Sequence, residues 1–505
     1  MNDKSPENGA LIVLAANTIA FCACFACWMM YGVLVTFLVD NGVFQWDKAQ
    51  MGWLIGIPVL TGSILRLPVG VLTDQHGGRR VFFILMLLAA GAVYSVSLCH
   101  SYEQFLLAGL CFGISGASFA VGIAYTSVWF STKKQGTALG VFGAGNAGAA
   151  VTSLLAPHLL VRLTDNMSNL EGWRMMPRIY AAVLLVIALL FFLVTREKKA
   201  EHTEGLSLAQ RLAPLKKLQV WRFGLYYFFV FGGFVALAQW LVPYYLNVYQ
   251  MSLATAGLMA SIFSLPSGVI RALGGWMSDL WGARFVMYLV LISCLFACIL
   301  LSVPRMDIQS PGQGVMSLTR GVVTSASPAE ITVGEKAYKL RQVDRDDQLG
   351  IFSENSGILI WPTFSSWQEP VVRVGEKVEK KQILARGVTH IFFQANVWIF
   401  TALVFLIGIM TGIGKAAVYK HIPDYFPESV GVVGGIVGVL GGLGGFVGPI
   451  IFGELLKWTG IWTTCWISLT ALVTVCLVWM HWTITHMMNE TQPGLAKEFE
   501  RLHNM

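Results

Sequence analysis

Twelve long apolar stretches run through the 505-residue sequence, and they limit its fold more than any other feature. They fall at about 11–39, 49–73, 81–99, 104–130, 135–161, 177–195, 223–249, 253–278, 285–303, 393–414, 430–455 and 460–486. About 20 apolar residues in a helix cross the hydrocarbon core of a bilayer. Only 12% of the residues are charged, against about a quarter in soluble domains. We therefore predict an all-α membrane protein with twelve transmembrane helices.

Basic residues predict how the chain crosses the membrane. A polar, basic stretch at 196–222 separates six predicted spans from the next six. With the N-terminus inside, fourteen Lys or Arg fall in the short inner loops and five in the short outer loops. Lys and Arg favour cytoplasmic loops, so we expect a multi-pass protein with both termini in the cytoplasm. The net charge of +7 fits this loop bias, and no nucleic-acid partner is predicted.

One segment, 304–392, lies between the ninth and tenth spans and carries 21 of the 63 charged side chains. No span fits there. Its short alternating runs, such as 357–361 and 371–374, predict a small β-rich domain on the outer face. Residues 370–385 resemble a hairpin of biotinyl/lipoyl-type domains without an acceptor lysine. The predicted divisions are a bundle at 1–195, a linker at 196–222, helices 7–9 at 223–303, the insert at 304–392, and helices 10–12 with a tail at 393–505.

A spaced motif occurs twice, which indicates duplicated halves. Arg66-x3-Gly70-x3-Asp74-x2-Gly77-x-Arg79 recurs 205 residues later as Arg271-x3-Gly275-x3-Asp279-x2-Gly282-x-Arg284. Transporters built from repeats hold their substrate between the repeats. The Gly-x3-Asp-x2-Gly-x-Arg part resembles the loop signature of the major facilitator superfamily. The resemblance implies two pseudo-symmetric six-helix bundles. We expect the glycines to allow close helix approach, and Asp74, Arg79, Asp279 and Arg284 to form a gating charge network.

Arg66 and Arg271 predict the substrate. Each lies eight residues before its loop aspartate, which places it roughly 12 Å into the membrane. A guanidinium at that depth usually faces a cavity, and no carboxylate lies in the central part of any predicted span to pair with it. Two planar guanidiniums suit a small trigonal oxyanion such as nitrate, carboxylate or carbonate. Cations and neutral sugars are disfavoured.

Glycine-rich helices support a more specific resemblance. The fifth span contains Gly143-Ala-Gly145-Asn146-Ala-Gly148, and the eleventh contains Gly438, Gly441 and Gly442 within a longer glycine run. Together with Ser118-Phe119-Ala120 and Lys134-Gln135-Gly136, these stretches resemble the signatures of the nitrate/nitrite porter family (NarK type). The likeness covers nearly the whole chain except 304–392. It implies a twelve-helix facilitator in the inner membrane of a bacterium that moves nitrate inward.

The resemblance also implies roles for individual residues. Arg66 and Arg271 would clamp the anion, and Asn146 would donate a hydrogen bond to it. Tyr227 resembles the family's substrate tyrosine, although its neighbour Tyr226 could face the cavity instead. The substrate-binding residues are completed by two aromatic rings that would sandwich the flat anion: Phe119 and Phe231. Gly143, Gly145, Gly148, Gly438, Gly441 and Gly442 would serve gating or packing.

Lys415 lies in the last apolar turns of the tenth predicted span. In this respect the tenth span differs from that of the best-known exchangers of the family. Its ammonium could snorkel to the cytoplasmic surface. Alternatively, its titration could take part in proton coupling. This lysine and the form of the helix-five signature resemble the proton-coupled branch of the family, so we expect nitrate/proton symport by a monomer.

Other functions stay open at this stage. Nitrate/nitrite antiport is the main alternative, because an empty site leaves two arginines repelling each other. A facilitator for small carboxylates would use the same arginine pair, and a transport-dead sensor would use the insert to bind its ligand. The sequence contains no zinc-ligand spacing, nucleophile elbow or phosphate-binding loop, and all nine cysteines lie in apolar stretches. No enzyme activity, metal or cofactor is therefore predicted.

Overall fold

The chain folds into two compact units. The structure is a computed structural model that describes residues 5–130, 132–198, 213–303, 306–309, 311–342, 363–392, 397–426 and 430–491. The first unit comprises Met1–Cys298, Val404–Thr459 and Cys465–Met505. The second comprises Ile299–Leu403 and Gly460–Thr464.

Helices make up the first unit. In chain order they are α1 Ser5–Trp28, α2 Met30–Asp40, α3 Lys48–Ile64, α4 Arg66–His76, α5 Gly78–Val96, α6 Tyr102–Phe112, α7 Ser118–Trp129, α8 Thr132–Gly143, α9 Gly148–Leu163, α10 Met175–Val194, α11 Leu218–Tyr227, α12 Phe234–Val248, α13 Leu253–Val269, α14 Arg271–Trp281, α15 Ala283–Leu301, α16 Val397–Tyr425, α17 Val430–Thr459 and α18 Thr464–Thr491. Short 3₁₀ turns join several of them, and a π-helical turn, Phe228–Gly233, joins α11 to α12.

The described helices account for twelve membrane spans. Eleven are long and apolar enough to cross a bilayer as they stand, and the pair α13 and α14, bent by 47°, supplies a twelfth. The prediction of an all-α membrane fold is confirmed. Many spans are assembled from two helices, because breaks interrupt the hydrogen-bond ladder inside the membrane.

The breaks in the second and eighth spans show the duplication directly. Helices α4 and α14 are both 11 residues long, and each begins at the motif arginine. Each ends before a glycine with positive φ, 89° at Gly77 and 83° at Gly282. Side chains rarely adopt that backbone conformation, so both loops require glycine. The repeated sequence spacing thus corresponds to a repeated backbone shape.

Glycines bring the two six-helix halves into close contact. A Cβ on Gly52 would lie 2.4 Å from the carbonyl oxygen of Pro449, and one on Gly257 would lie 2.2 Å from that of Ser153. Real Cβ atoms do not come that close, so these helices pack backbone against backbone. At the end of the bundle where α3 begins, Asp47 also forms an ion pair with Lys457 at 2.9 Å. The halves are therefore joined tightly at that end.

By contrast, a Cβ on Gly70 or Gly275 would meet no atom of the described residues within 4 Å. In this conformation the described helices do not make the close approach expected at these two motif glycines.

The second unit contains the predicted β-rich insert. Its strands are β1 Met306–Gln309, β2 Val315–Met316, β3 Gly321–Ala326, β4 Glu330–Val333, β5 Lys336–Lys339, β6 Thr363–Pro370, β7 Lys377–Val378 and β8 Ile383–Phe392. One antiparallel sheet has β8 pairing with β1, β2 and β6, and the other has the order β5-β4-β3-β7. Buried side chains from both sheets, including Val323, Ile331 and Leu384, form a shared core.

One expected strand in the insert is wrong, and another lies outside the described residues. The run 371–374 is not a strand, because Arg373 and Glu376 form a turn in which the backbone nitrogen of Arg373 donates to Glu376 Oε2 at 2.9 Å. Gly375 follows with φ of 87°. The run 357–361 lies outside the described residues.

Candidate anion-binding site

Arg66 is the first residue of α4 and is buried, with 4% of its surface exposed. One terminal nitrogen donates to the carbonyl of Gly438 at 2.7 Å, and Nε donates to the carbonyl of Gly116 at 3.5 Å. The other terminal nitrogen has no hydrogen-bond partner among the described residues. A buried donor without a partner is costly, so this nitrogen is available to an anion.

Arg271 occupies the equivalent place at the start of α14 and is half-buried. A Cβ on Gly143 would lie 3.1 Å from its side-chain Cδ, so the arginine lies directly against that glycine. One of its terminal nitrogens is also buried without a partner in the described part of the chain. The symmetry of the sequence is retained here, since Arg66 packs on a glycine of the eleventh span and Arg271 on a glycine of the fifth.

One aromatic ring connects the two arginines. The ring of Phe119 lies 5.2 Å from the guanidinium carbon of Arg66 and 5.5 Å from that of Arg271. The two guanidinium carbons are therefore within about 11 Å of each other, each at cation–π distance from the same ring. The structure brings together the two arginines that the sequence analysis selected.

A second ring, Phe231, faces Phe119. The two centroids are 6.4 Å apart with 22° between the planes, and the guanidinium carbon of Arg66 lies 5.0 Å from Phe231. Tyr227 stacks on Phe231, with ring centroids 5.1 Å apart and only 6° between the planes. Of the two neighbouring tyrosines, Tyr227 is thus the one placed beside the arginines, while Tyr226 lines another cavity.

Asn146 is fully buried in the 3₁₀ turn between α8 and α9. Its Nδ2 donates to the carbonyl of Gly143 at 2.9 Å, while its Oδ1 has no partner among the described residues. The described hydrogen bond lies within its own helical turn. Its role as a donor to the anion stays a prediction.

The glycines around the site are closely packed. A Cβ on Gly441 would lie 2.1 Å from the ring of Tyr227, and one on Gly442 would lie 2.2 Å from Ser63 Oγ. In the fifth span, Cβ atoms on Gly145 and Gly148 would lie 2.4 Å from the ring of Phe21 and 2.2 Å from the carbonyl oxygen of Cys22. The absence of side chains allows the glycine helices to approach the aromatic wall.

The motif residues predicted to gate the N-terminal half form contacts within that half. Asp74 is half-buried on α4. Arg79 donates from Nε and a terminal nitrogen to the carbonyl of Phe192, at 3.1 and 2.5 Å. The carboxylate of Glu197 accepts from the backbone nitrogens of Arg79 and Arg80.

Their equivalents in the C-terminal half likewise bond within their own half. Asp279 forms an ion pair with Lys420 at 2.5 Å, and Arg284 donates to the hydroxyl of Tyr425 at 2.9 Å. In this conformation the described partners of the Arg79, Asp279 and Arg284 side chains therefore all lie in the same half as the residue that they contact.

Lys415 is fully buried on α16, which excludes snorkelling in this conformation. Its Nζ donates to the carbonyl of Ser267 at 3.1 Å and lies 3.4 Å from the ring centroid of Phe234. The ion pairs of the described residues include no carboxylate bound to Lys415, Arg66 or Arg271. Within the same residues no cluster of His, Cys, Asp and Glu could hold a metal ion.

Two aromatic residues of the site were missed in the sequence. The ring of Tyr419 lies 5.3 Å from the guanidinium carbon of Arg271 and 5.0 Å from the ring of Tyr227, while Trp28 lies 5.7 Å from Arg66. Tyr419 follows Lys415 by four residues, so the two share a helix face, and that spacing was a usable signal. Trp28 is the last residue of α1, at a helix break that the sequence did not predict, so no residue spacing indicated its place in the site.

Comparisons with known proteins identify the family of this chain. The model of the Major Facilitator Superfamily matches residues 18–338 and 383–501. A Thermus thermophilus protein named probable nitrate/nitrite antiporter NarK1 is 36% identical over 494 residues, covering 97% of this chain and 95% of the relative. The nitrite extrusion protein of Bacillus subtilis is 25% identical over 476 residues, which cover 93% of this chain and 94% of the Bacillus protein.

This chain belongs to the nitrate/nitrite porter family (NarK type) of the major facilitator superfamily. Among solved structures, a bacterial homologue of the human lysosomal transporter Spinster, in an inward-facing and occupied conformation, matches with a TM-score of 0.60 and 15% identity. That match covers 93% of this chain and 95% of the other. At that identity it shows the shared facilitator fold alone. For this nitrate/nitrite porter family member, a substrate-binding role of the arginine pair stays a prediction.

Proposed function

We propose that this protein imports nitrate across the bacterial inner membrane by alternating access, coupled to protons. The observation that carries the proposal is the pair of arginines on Phe119. Among the described residues, each has a buried nitrogen without a hydrogen-bond partner, and neither is paired with a carboxylate. An anion would neutralise both charges and satisfy both donors. Family membership supports nitrate or nitrite as that anion.

The spacing of the aromatic rings favours a flat anion. A planar ion between Phe119 and Phe231 needs two contacts of about 3.5 Å each, or about 7 Å in all. The ring centroids are 6.4 Å apart and the planes are inclined by 22°. A planar ion with three oxygens would therefore fit after the two rings move apart slightly. A tetrahedral anion is thicker and would force the rings apart. Planar guanidiniums then reach the oxygens at the rim of the ion, where forked hydrogen bonds are favourable.

Lys415 is the group we propose as the proton carrier. It is fully buried, it has no carboxylate partner among the described residues, and its interaction with Arg271 is repulsive. Binding an anion compensates that repulsion and favours the ammonium form, whereas an empty site favours the neutral amine. Lys415 would gain a proton from water with the anion bound and return it to water after the anion leaves. One proton and one nitrate then cross together.

Nitrate/nitrite exchange is the second candidate. Arg66 and Arg271 repel each other when no anion is present, which disfavours return of an empty carrier. The Thermus thermophilus relative also carries the name of an antiporter. Exchange needs no proton carrier, because one anion replaces another in the same site.

Reconstitution in proteoliposomes separates the two. Uptake of labelled nitrate is measured with an imposed proton gradient, with and without internal nitrite. Symport predicts gradient-driven uptake into vesicles that contain no nitrite. Uptake that requires internal nitrite whatever the gradient would establish exchange, and formate or oxalate outcompeting nitrate would overturn the choice of substrate.

A substitution tests the role of Lys415. Lys415→Gln is expected to abolish uptake driven by the proton gradient while nitrate/nitrite exchange continues. Lys216→Gln, which removes an exposed ammonium, is the control and should retain both activities. Gradient-driven uptake at the wild-type rate in Lys415→Gln would remove Lys415 from the coupling mechanism.

A further inference from the structure

A second basic cavity lies away from the arginine pair, among the ends of four helices. It is lined by residues from α11, α15, α16 and α18. Neither Arg66 nor Arg271 contributes to its lining. Apart from Arg284, which the motif analysis assigns to the gating charge network, the lining residues have no role in the proposed transport mechanism.

Two arginines give the cavity its charge. Arg222 is 8% exposed, and its guanidinium carbon lies 5.4 Å from the ring of Phe223. Arg284 is exposed and donates to the hydroxyl of Tyr425 at 2.9 Å. The lining includes no Asp or Glu among the described residues, so the cavity carries an excess of positive charge.

A buried hydroxyl adds an independent indication of a ligand. Tyr226 lines the cavity, is 2% exposed, and has no hydrogen-bond partner for its hydroxyl in the described part of the chain. His421 is also buried there, stacked on Phe223 with ring centroids 5.6 Å apart. A ligand oxygen would satisfy the Tyr226 hydroxyl and meet Arg222 on the same helix.

We propose that this cavity binds a phosphate group. Guanidiniums bind phosphate oxygens with charge-assisted hydrogen bonds, and a hydroxyl can donate to a further oxygen. Arg222 and Tyr226 are four residues apart on α11, so both side chains lie on the same helix face and can contact one phosphate group. Basic pockets between transmembrane helices bind anionic lipid headgroups.

The expected source is the headgroup of an anionic phospholipid. Large exposed aromatic side chains lie next to the lining residues in sequence: Trp221, Phe285 and Trp482. Exposed tryptophan is enriched at the depth of lipid headgroups. The cavity therefore opens where a phospholipid phosphate would lie, although free phosphate shares the same chemistry.

Lipid retention by the purified full-length protein tests the proposal. Native mass spectrometry counts phosphatidylglycerol and phosphatidylcholine bound to the wild type, Arg222→Gln, Arg284→Gln and Tyr226→Phe. Arg80→Gln, which removes an exposed arginine from the N-terminal half, is the matched control. We expect phosphatidylglycerol retention to fall about tenfold in either cavity arginine variant and about threefold in Tyr226→Phe, with no change in the control.

Thermal unfolding distinguishes the sources of phosphate. Inorganic phosphate that stabilises the wild type but not Arg284→Gln would support the site with free phosphate as its ligand. Stabilisation by phosphatidylglycerol alone would support the lipid. Equal retention of phosphatidylglycerol by Arg284→Gln and wild type, or stabilisation by nitrate but not by either phosphate source, would overturn the proposal. Arg284 is exposed, so its substitution is not expected to prevent folding.

Discussion

Arg66 and Arg271 hold equivalent positions in the two halves, but their surroundings differ. Arg66 is almost fully buried and uses two of its nitrogens on backbone carbonyls, one of them in the opposite half. Arg271 is half-buried and contacts Gly143, Phe119 and Tyr419. The duplicated sequence therefore supplies two like charges whose side chains are held by different contacts. One arginine is anchored between the halves, and the other is held mainly by aromatic rings.

The largest expected effect comes from replacing each arginine by lysine. Lysine retains the charge but loses the fork, and a charge-assisted hydrogen bond contributes about 1.5–3 kcal/mol. We expect nitrate affinity in proteoliposomes to fall about 10- to 100-fold in Arg271→Lys, with a greater loss in Arg66→Lys, which also breaks the bond to Gly438. Near-wild-type affinity in both variants would refute the clamp. A greater loss in Arg271→Lys would refute the asymmetry.

The glycine helix beside Arg66 provides the next test. A Cβ on Gly441 would overlap the ring of Tyr227, so Gly441→Ala is expected to displace that ring and reduce nitrate uptake about tenfold or more. Gly435→Ala is the matched control, because its Cβ would come no closer than 3.6 Å to Leu67. Alanine also favours a helix by about 1 kcal/mol over glycine. If both variants transport alike, Tyr227 is not held in place by Gly441.

Phe119 is shared by the two arginines, so its removal should affect both. A cation–π contact contributes about 0.5–2 kcal/mol, and Phe119→Leu is expected to reduce nitrate affinity several-fold. Phe142 stacks on Phe119 with centroids 6.1 Å apart, and it has no described contact with either guanidinium. Phe142→Leu therefore controls for lost packing. Equal effects of the two substitutions on affinity would assign Phe119 to packing alone.

The smallest effect is expected at the ion pair between Asp47 and Lys457. Both side chains are almost half exposed, and such pairs contribute about 0–1 kcal/mol. Asp47→Asn should modestly increase labelling of a cysteine introduced in the central cavity from that end of the bundle. Glu171→Gln, which breaks an ion pair with Arg174 within one half, is the control. Unchanged labelling in Asp47→Asn would show that glycine packing alone closes this end.

Desolvation raises the pKa of Asp47, but the backbone of Gln50 and the ammonium of Lys457 together hold it below its ordinary value. The ionised form is therefore stabilised in this conformation, and that contribution is lost as pH falls through the lowered pKa. The same labelling experiment should consequently show the effect of Asp47→Asn at neutral pH and lose it in acid.

The spans, the duplication and the arginine pair were accessible from the sequence, because each depends on residue type and spacing along one chain. Hydrophobic length predicts a span, and a constant offset identifies the repeat. The bend in the eighth span and the π-helical turn were not accessible, because they depend on packing between helices. Tyr419 was missed although its spacing from Lys415 was visible. Residues 371–374 were mistaken for a strand because side-chain hydrogen bonding in a turn outweighed the apolar pattern.

Tyr226 and Tyr227 are neighbours in the seventh span, but they contribute to two different sites. Neighbouring residues on an α-helix are turned by about 100° around its axis, so these two tyrosines face different cavities. One lines the basic cavity at the helix ends, and the other stacks on Phe231 beside the arginines. Both are carried by α11 immediately before the π-helical turn. Any rotation of this helix about its own axis must displace both rings at once, so a movement of α11 at one site would also change the other.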